Sequence, residues 1–266
     1  MTTVGTYLSV ANNLTRWRGI AARKPQVASD TKYFQANIGK ATSIDALMKD
    51  RRLLNYALKA FGLGDMTYAV GMMRKVLEQG VDSSGDLANT LNNANILAFA
   101  KAFDYAGGAA QVGSADFATT VTDRYVEQAM QGDQGDQNPG VQLALYFRQR
   151  APQLTSIYGV LADKSLLKVV QTALDIPAAS SAQPVDTQAR LLKAKINIDD
   201  FKDAKKLDAF IARFAAMYDT QNPGAGSNVD ANANALFYSA SFLGSDQPVG
   251  VDMSLLLRRQ NAARGF

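Results

Sequence analysis

Ile44-Asp-Ala-Leu-Met-Lys-Asp-Arg-Arg-Leu-Leu-Asn-Tyr-Ala-Leu-Lys-Ala-Phe-Gly-Leu63 is the stretch that decides the fold. Ser43 stands where its oxygen can accept from first-turn amides, and Asp45 sits near the positive end of the helix dipole. Asp50 is placed to cap a second helix, Arg51 to Phe61. Leu54, Leu58 and Phe61 fall on one face of it, and Leu53, Tyr56, Ala57 and Ala60 widen that apolar arc. Gly62 supplies a left-handed residue to stop it. Two linked helices are therefore expected here, the second packed on more than one neighbour.

Parts of the stretch return further on. Thr42-Ser-Ile44 reappears as Thr155-Ser-Ile157, Asp50 as Asp163, Leu53-Leu54 as Leu166-Leu167 and Tyr33-Phe34 as Tyr146-Phe147, a constant spacing of 113 residues (33 to 146, 50 to 163). A recurrence of this kind bears on the architecture before any local reading does. It predicts two degenerate multi-helix repeats packed together: residues 1–130 with a leader helix, and residues 141–220 as a divergent second copy. A C-terminal helical tail would follow.

Outward from that stretch the period stays helical. Val10, Leu14 and Trp17 make one stripe in a leader over Thr6 to Arg23, which Pro25 ends. A second segment holds Tyr33, Phe34 and Ile38 after Ser29-Asp30, with Gly39 as its stop. Asp65 is expected to cap a helix through Met73 and Leu77, and Asp82-Ser-Ser84 to begin a short one. Asn92-Asn93 leads into Ile96, Phe99 and Phe103, and Ser114 into Phe117, Val121 and Tyr125. Leu207, Phe210, Ile211, Phe214 and Tyr218 form the seam of a long helix near the end. Sustained period-two alternation is missing, so the expected class is all-α.

Glycine-rich Gly107 to Ser114 lacks the Gly-Lys-Ser/Thr ending and the preceding strand of a phosphate loop. Gly132-Asp-Gln-Gly-Asp-Gln-Asn-Pro-Gly140 reads as the linker between repeats; its acids lack the spacing and bidentate glutamate of an EF-hand. Pro177 to Pro184 reads as a loose connection. Gln221 to Asn234 turns to Asn, Gly, Ala and Ser, a flexible linker, before an amphipathic helix capped by Asp252. Leu255, Leu256 and Leu257, next to Arg258 and Arg259, either dock back on the core or bind a partner in a groove. Trp17, the single tryptophan, is expected to anchor a core or an interface.

Composition narrows the chemistry. The 266 residues include no cysteine and no histidine. Disulfides, thiolate ligands, imidazole bases and most zinc sites drop out together. The carboxylates cluster at helix starts, where capping explains them, so neither a catalytic site, a metal nor a cofactor is expected. A net charge of +4 and a pI of about 9.2 are mild. Arg16, Arg18, Arg23 and Lys24 read as solvated or partner-facing, since nucleic-acid binding prefers a concentrated basic stripe with aromatics. A membrane span and a cleaved secretory signal are not expected. Synthesis in the cytoplasm would then be followed by retention there or by exit along a route that needs no cleaved signal. Zero Cys, zero His, one Trp and many Ala, Asn, Gln and Thr fit the flagellar export channel, and a plain cytosolic helical protein nearly as well.

Phe34…Ile38-Gly39, Asp50-Arg-Arg-Leu-Leu-Asn-Tyr-Ala-Leu-Lys-Ala-Phe-Gly-Leu-Gly-Asp-Met66, Met73-Arg-Lys-Val-Leu77, Asp86-Leu-Ala-Asn-Thr-Leu91 and Phe99-Ala-Lys-Ala-Phe103 resemble an uncharacterised bacterial family. Its members are typically encoded among flagellar structural genes, and many carry the repeated unit. The likeness is close over Leu14 to Tyr105, degenerate over Tyr146 to Tyr218 and weak beyond. Asn92-Asn-Ala-Asn95 departs from it where an Asp-Pro-Arg or Asp-x-Arg turn is usual, which keeps helix entry but loses an arginine contact. The family carries no assigned site residues. The resemblance implies a role in flagellar structure or assembly, without a cofactor, through contacts with other flagellar proteins or with itself. A nucleic-acid-binding regulator is the alternative expectation, and a carboxylate enzyme comes after it.

Overall fold

The computed structural model describes residues 2–105 and 111–223, all within one compact unit, Met1–Val229. Among them every regular element is helical and none is a strand. The helix at the centre of the sequence argument, α5 (Arg51–Ala60), begins as its residues dictate. Asp50 accepts from the amides of Arg52 at 3.1 Å and Leu53 at 3.0 Å. Leu53, Leu54, Tyr56, Ala57, Leu58 and Ala60 are buried. Its end is closed by Gly62 at φ +73°, where Leu63 N–H donates to Leu58 O and Gly62 N–H to Lys59 O. Those two bonds cover carbonyls that a helix end leaves bare.

A second helix, α12 (Lys164–Ala173), is built the same way. Asp163 accepts from Ser165 at 2.9 Å and Leu166 at 3.1 Å. The Tyr146 hydroxyl donates to Asp163 at 2.6 Å, as Tyr33 does to Asp50 at 2.8 Å. Asp175, at φ +52°, occupies the place of Gly62, with Ile176 N–H donating to Gln171 O and Asp175 N–H to Thr172 O.

Around these two helices lie two apolar cores. The first draws on α3 (Pro25–Asn37), α4 (Ile44–Lys49), α5, α6 (Val70–Gln79), α7 (Leu87–Thr90) and α8 (Ala94–Ala102). The second draws on α10 (Pro139–Arg150), α11 (Ile157–Leu161), α12, α13 (Val185–Lys193) and α14 (Ala204–Gln221). Three further helices join them. Tyr7 and Val10 of α1 (Thr3–Ala11) and Ala21 of α2 (Leu14–Ala22) are buried in the second core. Val121 and Tyr125 of α9 (Ala115–Gln137) are buried in the first, while Met130, further along α9, enters the second. Each core is thus completed by the segment that precedes the other series of helices.

This alters the expected organisation in several places. The first part of the leader, α1, packs with the second series of helices: Thr3 N–H donates to the Asp219 carboxylate at 3.0 Å, and Arg148 donates to both Tyr7 and Asp208, while α2 lies on α9. The leader is thus two helices, interrupted at Asn12–Asn13, where the Asn13 amide turns back to Ser9 O. Helix α3 starts at Pro25, before Ser29-Asp30, because proline at the first helical position lacks only an amide that would have had no partner.

The stretch 132–140 is not a linker, since α9 continues to Gln137 and α10 starts at Pro139. Two of its three glycines serve close packing. A Cβ on Gly140 would lie 2.5 Å from the Tyr218 ring, and one on Gly135 would lie 2.2 Å from Gln142. Asn138 alone leaves the helix, accepting from Gly140 N–H at 2.9 Å. Asp65 caps nothing: it lies in a 3-10 turn, and α6 starts after Ala69. Asp86 precedes α7 and accepts from Ser83 N–H at 2.7 Å. Residues 177–184 are a 3-10 turn fastened by the amides of Gln171 and Gln188. The expected tail beyond residue 223, with Leu255 to Arg259, lies outside the described residues.

Candidate functional site

Helix α9 spans about 34 Å at 1.5 Å per residue and packs against α2, α5 and α10. Two ion pairs fasten α2 along it, Arg18 to Glu127 and Lys24 to Asp133. These basic residues are exposed, as expected, and also pair with acids of α9. Glu127 is 7% exposed and also accepts from Gln131 at 3.0 Å, and Gln131 reaches Gln149 on α10 at 3.1 Å. A buried carboxylate needs such partners.

Beside this polar seam opens a cleft of about 680 Å³, with walls from α2, the end of α5, α8, α9 and α10. Arg124 and Arg150 line it, with the amides of Asn95, Gln128 and Gln149. The turn at Asn138 sets their approach. Arg124 lies 14 residues before it and Arg150 12 after it, or about 21 and 18 Å along the two arms. The hairpin therefore brings two cations almost level. Arg124 lies over the Phe61 ring, 4.9 Å from its centroid, a favourable charge-to-face contact. Burial and the neighbouring Arg150 charge both lower its proton affinity. Among the described residues, neither guanidinium has an ion pair or a side-chain hydrogen bond.

The other acids of note hold structure. Asp30 accepts from Gln26, Arg52 and Tyr125, within a stack of Phe34, Tyr56 and Tyr125 whose centroids are 4.4 and 3.9 Å apart. Tyr146 borders the cleft; burial, then the Asp163 charge, drive its proton affinity up. Among the described residues no three metal-ligating side chains lie together, and no helix is long and apolar enough to cross a membrane.

Of the residues singled out in the sequence as contact points, Trp17 is half-buried against the second core, and Leu255, Leu256, Leu257, Arg258 and Arg259 lie outside the described residues. Arg124 and Arg150 escaped the sequence reading. Neither belongs to a local motif, and the stretch between them reads as a break when it is a helix hairpin.

A model of the family described as "Protein of unknown function (DUF1217)" matches residues 60–207. The chain belongs to that family. An X-ray crystal structure of a structural-genomics target from Agrobacterium tumefaciens is 38% identical, with a TM-score of 0.77, over 83% of this chain and 94% of that one. No curated protein matches the chain. The all-α architecture of this DUF1217 chain therefore has an experimental counterpart across the match.

Proposed function

We propose that this DUF1217 protein is a non-catalytic component or assembly factor of the bacterial flagellum that works through contacts with other flagellar proteins or with itself. The flagellar part rests on the sequence resemblance to a family encoded among flagellar structural genes. The observation that carries the contact reading is the leader. Helices α1 and α2 are held by Asp219, Asp208, Glu127 and Asp133, yet Leu8 and Ile20 remain 45% and 42% exposed. We place the contact surface on this anchored element with its two outward apolar side chains. The helix-start acids Asp50, Asp163 and Asp203 all accept from backbone amides, which supports a scaffold over general acid–base work.

We also read α3–α8 and α10–α14 as copies of one unit. The matching caps at Asp50 and Asp163, the matching tyrosine bonds and the left-handed stops at residues 62 and 175 support that reading. Exchange of leaders would then tie the copies into one body, either retained in the cytoplasm or exported by the flagellar apparatus.

The test is a blot for the protein in cells, shed filaments and medium, in a parent strain and in one without a working flagellar export apparatus. An exported structural part is expected outside the cell only when export works, and an assembly factor inside both strains but co-purifying with a flagellar protein. Presence outside the export-deficient strain, or no flagellar partner for a retained protein, overturns the proposal.

A further inference from the structure

We propose that the cleft between α2, α8, α9 and α10 is a binding site for a compact dianion, a molecule bearing a phosphate or paired carboxylates, held between Arg124 and Arg150. The inference stands independently of the flagellar reading. Two cations facing one cleft without an anion between them repel each other; Arg150 is half-buried, and Arg124, though exposed, has its charge held over the Phe61 ring. Arg52, Arg74 and Arg148 illustrate the usual resolution, each against a carboxylate at 2.9, 2.6 and 2.8 Å. Arg124 and Arg150 have none among the described residues.

The acids on the same walls do not serve. Glu127 is engaged by Arg18 and Gln131. Asp123, exposed on α9, forms no ion pair with either arginine. What the cleft offers an incoming anion is two planar donor forks, which match the oxygens of carboxylate and phosphate. Around them stand the side-chain amides of Asn95, Gln128 and Gln149, which supply further N–H donors. Phe61 holds the Arg124 charge over its face and restricts where that fork can point. A volume of about 680 Å³ suits a small molecule. A bound dianion would neutralise both charges at the place where the two series of helices meet.

The test is thermal unfolding of the full chain in inorganic phosphate, in malonate and in chloride at equal ionic strength. Parent, Arg150→Gln and Arg124→Lys proteins are compared. Without a dianion, Arg150→Gln should melt above the parent, because the repulsion is gone. In phosphate or malonate the parent's Tm should rise with a saturable dependence, as expected for a ligand that binds only the folded state. Arg150→Gln should bind at least about tenfold more weakly, the loss expected of one charge-assisted contact. Arg124→Lys keeps the charge but not the fork, and should bind more weakly while folding normally. A response to phosphate alone, or to malonate alone, names the ligand class. Equal shifts in all three salts, or an undiminished response in Arg150→Gln, overturn the site.

Discussion

At the scale of single residues, the same backbone problem is solved twice with different amino acids. Gly62 and Asp175 both stop a helix in the left-handed region, at φ +73° and +52°. Glycine adopts that region freely, whereas a residue with a Cβ is disfavoured there by roughly 1 kcal/mol. Asp175→Gly is therefore expected to stabilise the protein by up to about 1 kcal/mol, lessened by the weak 3.3 Å bond from Gln221 that it removes. Gly62→Ala is expected to destabilise it by about 1–2 kcal/mol. A Cβ at residue 62 would also come within 3.1 Å of the Asn95 amide. Gly132 is the internal control: it lies within α9 with nothing within 4 Å of an added Cβ, so Gly132→Ala should stabilise by about 0.5–1 kcal/mol. Urea unfolding of the three variants checks the signs, and a destabilised Asp175→Gly would contradict the account of the stop.

At the scale of elements, legibility followed the range of the forces involved. Helices α5, α8, α9, α12 and α14 can be read because cap and apolar stripe lie within a few turns of each other. Asp50, Asn93, Ser114 and Asp163 each accept from amides two or three residues on, and Asp203, which the sequence reading passed over, does the same for α14. The segment 132–140 misleads because the partner of Gly140 is Tyr218, far along the chain. Glycine there permits close approach, and nothing local marks the difference. The cleft was illegible for a related reason: Arg124 and Arg150 meet only because Asn138 and Pro139 fold α9 back on α10. Gly140→Ala should thus cost about 1–3 kcal/mol through overpacking, since its Cβ would press on Tyr218 and lie 2.9 Å from Thr3. Hydrogen exchange should show the loss first where α1 meets α10 and α14. Deleting residues 1–13 would go further, removing Tyr7 and Val10 from the second core. Amides of α10 and α14 are expected to lose protection while those of α5 keep theirs; equal loss in both series would refute the exchanged leaders.

At the scale of the whole molecule, a chain with no histidine and no cysteine has no side chain that titrates near neutrality at its ordinary value. Stability changes with pH only where folded and unfolded states bind different numbers of protons. The acid limb includes Asp30. Burial raises its proton affinity, but the hydrogen bonds from Gln26, Arg52 and Tyr125 outweigh that and hold the carboxyl below its usual value. Its contribution is present above the unfolded value, about 4, and fades as pH falls through the lower folded one. The alkaline limb comes from tyrosines. Burial drives Tyr105 up, and burial followed by nearby Asp30 and Asp163 drives Tyr125 and Tyr146 up. Their neutral forms stabilise the fold in full below about pH 10, and that contribution is lost as pH rises beyond it. Between about pH 6 and about pH 9 the urea midpoint should therefore be nearly constant. Above that plateau it should fall together with the growth of tyrosinate absorbance. Tyr125→Phe should move the alkaline limb to higher pH, because phenylalanine keeps the stack on Tyr56 and has no proton to lose. A midpoint that slopes across the neutral range, or an alkaline limb unmoved in Tyr125→Phe, would show that other groups govern the stability of the assembled cores.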